Sequence, residues 1–166
     1  MMGWRMVIVA LLSHNIYASD TQCHKKALFP SSVNQDATST VNSSILNSIA
    51  DANLLFEILL EGMEVGEECK PFCVQDEELA SMRLTRRLED VSRNVLPTNL
   101  PDIQRLTSAL SQLPGSLCRV DFEHVVLTMV YVAYRMTATA GHQRDAWAES
   151  FVNLYKTVKK DLRGAA

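Results

Sequence analysis

No segment of this chain narrows its structural options as sharply as Val120 to Ala140, VDFEHVVLTMVYVAYRMTATA. From Val125 to Tyr134 it is apolar except for Thr128. A membrane span needs roughly 20 apolar residues. This run has about half that and is flanked by Arg119, Asp121, Glu123 and Arg135, so it is not read as a span. Four valines, two tyrosines and a threonine favour extended chain. Yet the segment continues without Gly or Pro to Gly141, well beyond the usual length of a strand. Phe122, Val125 or Val126, Met129, Val132 or Ala133, Met136 and Ala140 recur in steps of three and four, which is helical spacing. Leu127, Val130, Tyr131 and Tyr134 cover much of the remaining circumference, and a helix apolar on most sides is a buried one. The sequence therefore predicts a buried central helix, with Val126, Met129, Val130 and Ala133 in the core.

The flanking segments supply matching faces. Ser43 or Ser44 is placed to cap a first helix bearing Ile45, Ile49, Ala52, Phe56 and Leu59 or Leu60, widened by Leu46, Leu55 and Ile58. Gly62 and Gly66 end it, and a loop through Cys69 and Pro71 follows. Asp76 opens a second helix with Ala80, Leu84, Leu88, Val91 and Val95 on one side, broken near Thr85 and stopped by Pro97. Pro101 lies in the first turn of a short third helix carrying Ile103, Leu106, Leu110 and Leu113. Asp121 is the expected cap of the central helix, and Gly141 fits the left-handed residue at its end. Trp147, Phe151, Leu154 or Tyr155, Val158 and Leu162 line a last, antiparallel helix. The fold class read from this is all-α: a small bundle of about five helices over residues 45–166.

The N-terminus reads as an export signal. Arg5 precedes an apolar core from Met6 to Leu12, and Ala18 with Ile16 offers a cleavage site. Cleavage after Ala18 takes one cation and no acid, moving the formal charge from −3 to −4. Residues 19–44 form a polar tail, read as flexible, with Leu28-Phe29-Pro30 as an apolar patch that packs loosely on the body or docks on a partner. Asn42-Ser43-Ser44 is a glycosylation sequon. The slight acidity gives no reason to expect nucleic-acid binding. All four cysteines, Cys23, Cys69, Cys73 and Cys118, follow the cleavage site. An exported chain with an even count is expected to form disulfides, in any of three pairings. Zinc held by Cys23, His24, Cys69 and Cys73 is the sharper alternative, disfavoured by export.

Four strings carry a resemblance. DEELASMR (Asp76 to Arg83), LPDIQRL (Leu100 to Leu106), DFEHVVLTMVYVAYRM (Asp121 to Met136) and GHQRDAW (Gly141 to Trp147) resemble the family with sequence similarity 180. The likeness extends over roughly 54–162. It implies a secreted protein and supplies no catalytic or binding residues to carry over.

A search for chemistry finds little. No Gly-x-Ser-x-Gly elbow, phosphate loop, calcium loop or paired-histidine zinc motif is present. His124 follows Asp121 by three residues and His142 precedes Asp145 by three, but both acids sit in first turns, where carboxylates stabilise helices. Arg83, Arg86 and Arg87 share one helix face and form a candidate basic interaction surface for sulfated glycans or an acidic partner. The expectation is a secreted, non-enzymatic protein that binds an extracellular protein or receptor, without cofactor, metal or membrane span. The alternative is a carrier holding a small apolar ligand along the central helix, near Met129, Tyr131, Tyr134 and Met136.

Overall fold

The computed structural model describes residues 28–29, 44–61, 63–65 and 72–164. The expected leader, the rest of the tail, Asn42, Cys23, His24 and Cys69 lie outside them. Among the described residues six helices and one short ladder follow in order: α1 (Ile49–Glu61), β1 (Met63–Val65), β2 (Phe72–Val74), α2 (Glu77–Ser81), α3 (Arg83–Asn94), α4 (Leu100–Ser111), α5 (Arg119–Ala138) and α6 (Gly141–Gly164). The fold is all-α, with β1 and β2 as a small antiparallel addition in which Glu64 faces Cys73.

The chain builds α5 as the buried centre. Every residue from Phe122 to Val132 is buried. Within that run Thr128 satisfies its hydroxyl by donating to His124 O at 2.8 Å, so the polar residue costs the core little. Val126, Met129 and Val130 are core as expected. Ala133 is only half-buried, because α5 emerges from the body there and Tyr134 is already 37% exposed. Helix α6 folds back along α5 and also covers α4, while α1 packs on α3. Burying the core's Leu, Ile, Val and Phe side chains stabilises the fold by about 1.5–3 kcal/mol each.

Tyr131 joins the layers. Its ring meets Phe72 of β2 edge-on at 6.4 Å and Trp147 of α6 at 6.1 Å. Its hydroxyl donates to Thr98 O at 3.0 Å, so the buried phenol is satisfied. Arg135 lies over the Trp147 ring at 5.4 Å.

Several element ends differ from the sequence reading. Helix α1 starts at Ile49, not beside Ser44. Ser48 caps it by accepting from Asp51 N at 3.1 Å, and Asp51 accepts from Asn47 N at 2.8 Å, a reciprocal arrangement of the capping-box kind. Among its described side chains Ala52, Leu55 and Ile58 are buried, whereas Ile49 is 54% exposed. The second helix breaks at Met82, three residues before Thr85. Thr85 bridges the break by donating to Leu79 O at 2.5 Å. Asp76 and Asn99 cap α2 and α4 through Leu79 N and Asp102 N, with Pro101 in the first turn of α4. Cys118, not Asp121, is the N-cap of α5, and Asp121 sits in its first turn. Gly141 has φ +59 and opens α6 directly after the short turn from α5.

Candidate functional site

Among the described residues a polar cluster lies beneath the segment Ser44–Leu46. Ile45 and Leu46 are buried although they belong to no helix. They are held from below by Glu123, which is 2% exposed on α5. Its carboxylate accepts from Ser44 Oγ at 2.5 Å and from Ile45 N at 2.7 Å. Arg119, one turn earlier on α5, places Nε 3.5 Å from the same carboxylate and donates through Nη2 to Leu46 O. Arg87 of α3 donates to Ser44 O at 2.6 Å. Burial raises the Glu123 pKa above its ordinary 4.5, while the bonds from Ser44 and Ile45 and the Arg119 charge pull it back down. A buried carboxylate that accepts several hydrogen bonds and faces a guanidinium is compensated. The cluster therefore works as a clasp that fixes the N-terminal segment to the body.

His124 stands beside it in the sequence but in a different setting. It is 3% exposed, and its Nε2 has no hydrogen-bond partner among the described residues. Phe29, itself buried, meets its ring edge-on at 5.0 Å. Burial lowers the His124 pKa from 6.5 to about 4, so the ring is neutral at physiological pH. Asp121 lies half-buried with Oδ2 3.3 Å from Cys118 Sγ. His142 and Asp145 are both exposed at the start of α6. Among the described residues no group of three or more His, Cys, Asp or Glu is arranged to hold a metal.

The predicted basic face is divided. Arg83 is exposed, Arg86 donates to Ser81 O at 2.8 Å, and Arg87 is half-buried in the clasp. Neither Cys73 nor Cys118 is a free thiol. A void bordering the central helix, between Leu46, Leu55, Leu88, Glu123 and Leu127, holds about 10 Å³. That is barely the volume one water needs. Met129 and Tyr131 are packed at 2% and 7% exposure. No described helix is long and apolar enough to cross a membrane.

Reasoning from the sequence found the residues around the clasp but not the clasp itself. The available signal was Glu123, an acid inside an apolar run on a helix buried all round. Such a group needs a partner.

Comparison with known proteins agrees with the resemblance noted in the sequence. No solved structure matches the chain. Protein FAM180B of Homo sapiens is 32% identical over 112 residues, which cover 66% of this chain and 61% of that protein. The model of the FAM180 family matches residues 28–162, from the Leu28-Phe29 patch to the last turns of α6. With a match over most of its length, the chain belongs to the FAM180 family.

Proposed function

We propose that this chain is a secreted, non-enzymatic helical protein that works by binding another extracellular protein through its surface. The observation that carries the reading is the filled core around α5, where Met129 and Tyr131 are packed and the bordering void is about 10 Å³. The interior groups best suited to chemistry are already committed: Glu123 holds the N-terminal segment, and His124 is enclosed against Phe29. Work is left to the surface. There Val152 and Tyr155 project from α6 at 46% and 42% exposure, one turn apart, with Phe151 half-buried beside them. Apolar and aromatic groups amid polar surroundings suit a protein partner. A cytokine-like role is an analogy from fold class.

The apolar leader with Arg5 at its flank supports export. In that compartment the cysteines form disulfides and Asn42 carries a glycan; the lack of free thiol at Cys73 and Cys118 supports the first of these. The test is proximity labelling with the secreted protein, followed by mass spectrometry, with V152D/Y155A as the comparison. An extracellular protein labelled by wild type and lost with the variant is the expected result. Tagged protein that stays in the cytosol with reduced cysteines overturns the reading.

A further inference from the structure

The seam between α4 and the C-terminal half of α6 forms a surface groove of about 430 Å³. A second groove of about 420 Å³, running toward the α4–α5 loop, shares Leu110, Thr157 and Lys160 with it. The two make one channel along the last three turns of α6. Leu110 is its buried floor.

The polar walls are rich in acceptors. Four hydroxyls line the first groove, and each donates to its own helix. Thr107 and Ser108 both donate to Gln104 O at 2.9 Å. Ser111 donates to Ser108 O at 2.7 Å and Thr157 to Asn153 O at 3.2 Å. A hydroxyl has one proton and two acceptor lone pairs. With the proton spent on the backbone, each presents acceptors to the groove. The charged groups there are Lys156 and Lys160, both exposed, and no acid lines this part. Asp161 borders the second groove only, and its carboxylate accepts from Leu117 N at 2.6 Å. Lys159 is turned toward the Tyr155 ring at 5.8 Å.

Two cations beside a row of acceptors call for a ligand with negative groups and hydroxyl donors along one strand. A sulfated polysaccharide has both. A single-stranded nucleic acid would need aromatic platforms for its bases, and none lines this groove. Cations near the C-terminus of a helix complement its dipole, which accounts for the lysines but not for the facing hydroxyls of α4. We propose that the α4–α6 groove binds a sulfated polysaccharide, Lys156 and Lys160 pairing with its sulfates and the Ser and Thr oxygens accepting from its free hydroxyls. This differs from the Arg83–Arg87 face, where Arg86 and Arg87 are bonded to backbone carbonyls. It rests on the extracellular reading, since such sugars line the cell exterior.

The test uses the purified secreted chain and a heparin-derived oligosaccharide in a calorimetric titration at physiological salt. Wild type is expected to bind. K156E/K160E, which alters only exposed side chains, is expected to bind at least about tenfold more weakly, and R83E to bind like wild type. S108A/T157V is expected to weaken the oligosaccharide several-fold while leaving fully sulfated sucrose, which has no free hydroxyl, unaffected. Absence of binding by wild type overturns the proposal. So does equal loss in R83E, or an S108A/T157V variant that binds the oligosaccharide as wild type does. A chain that binds the sugar but is retained inside cells overturns the secretion reading and leaves the groove assignment standing.

Discussion

Acidification should weaken this fold through a single imidazole. His124 is enclosed against Phe29 with Nε2 unpartnered among the described residues, and its pKa falls from 6.5 to about 4. The folded state therefore resists protonation that the unfolded chain accepts. Stability is full above pH 6.5 and is lost as pH falls from there toward 4. Inserting the two values into the linkage relation gives a loss of about 2 kcal/mol between pH 7 and pH 5. For a domain of this size that is a fall in Tm of roughly 4–8 °C. Glu123 acts with the opposite sign. Its raised pKa means the folded state takes a proton more readily than the unfolded chain, so its contribution grows as pH falls through that value. The two partly offset one another. The clean measurement is a difference: urea unfolding of wild type and His124→Phe at pH 7 and pH 5, where the Glu123 contribution is common to both. Phe keeps an aromatic ring beside Phe29 and removes the titration. Wild type is expected to lose about 2 kcal/mol more than the variant. Slopes equal to within about 0.5 kcal/mol would show that His124 is hydrated or paired in the folded state.

Other expectations follow from packing and caps. Val130→Asp places an unpaired charge in the centre of α5, at 1% exposure, and should cost about 3–5 kcal/mol, read as loss of secreted folded protein. Glu123→Ala should strip the clasp, leaving Ile45 N without its acceptor and Arg119 Nε without its carboxylate, at about 2–4 kcal/mol. Hydrogen exchange at Ile45 should then rise far more than at Val126; equal rises would show that the clasp and core open together. Gly141→Ala should cost about 1–2 kcal/mol in thermal unfolding, because φ +59 strains any L side chain although the space there is open. Tyr131→Phe should cost about 0.5–1.5 kcal/mol through the lost bond to Thr98 O, with the aromatic contacts retained.

The legible parts of this fold were those decided locally. Asp76 and Pro101 mark helix starts through geometry that a few residues determine, and the structure keeps both. The buried stripes of α3, α4 and α6 follow from spacing alone. What the sequence hid was decided at a distance. Ser44 looks like a helix cap beside an apolar stripe, but a carboxylate 79 residues away takes its hydroxyl. Ile45 and Leu46 then dock outside any helix, and the helix begins after Ser48 instead. Ile49, at the start of α1, is left exposed. The strands MEV and FCV are three residues each, too short to show alternation against a loop. The α4–α6 groove escaped notice because its residues come from two helices some 45 positions apart, and neither helix alone carries a motif.

The clasp also sets a timetable. A ribosome adds roughly 5–20 residues per second, so Glu123 follows Ser44 into existence by roughly 4–16 s across their separation of 79 residues. Throughout that interval Ser44–Leu46 has nothing to close on. Ser44 is also the third residue of the Asn42 sequon, and once the clasp shuts its hydroxyl and its carbonyl are both occupied, by Glu123 and Arg87. On the proposed reading of an exported chain with a glycosylated tail, transfer of the glycan to Asn42 competes with closure of the clasp. On that reading Glu123→Ala, which removes the acceptor the clasp closes on, would alter the modification of the tail as well as the folded body.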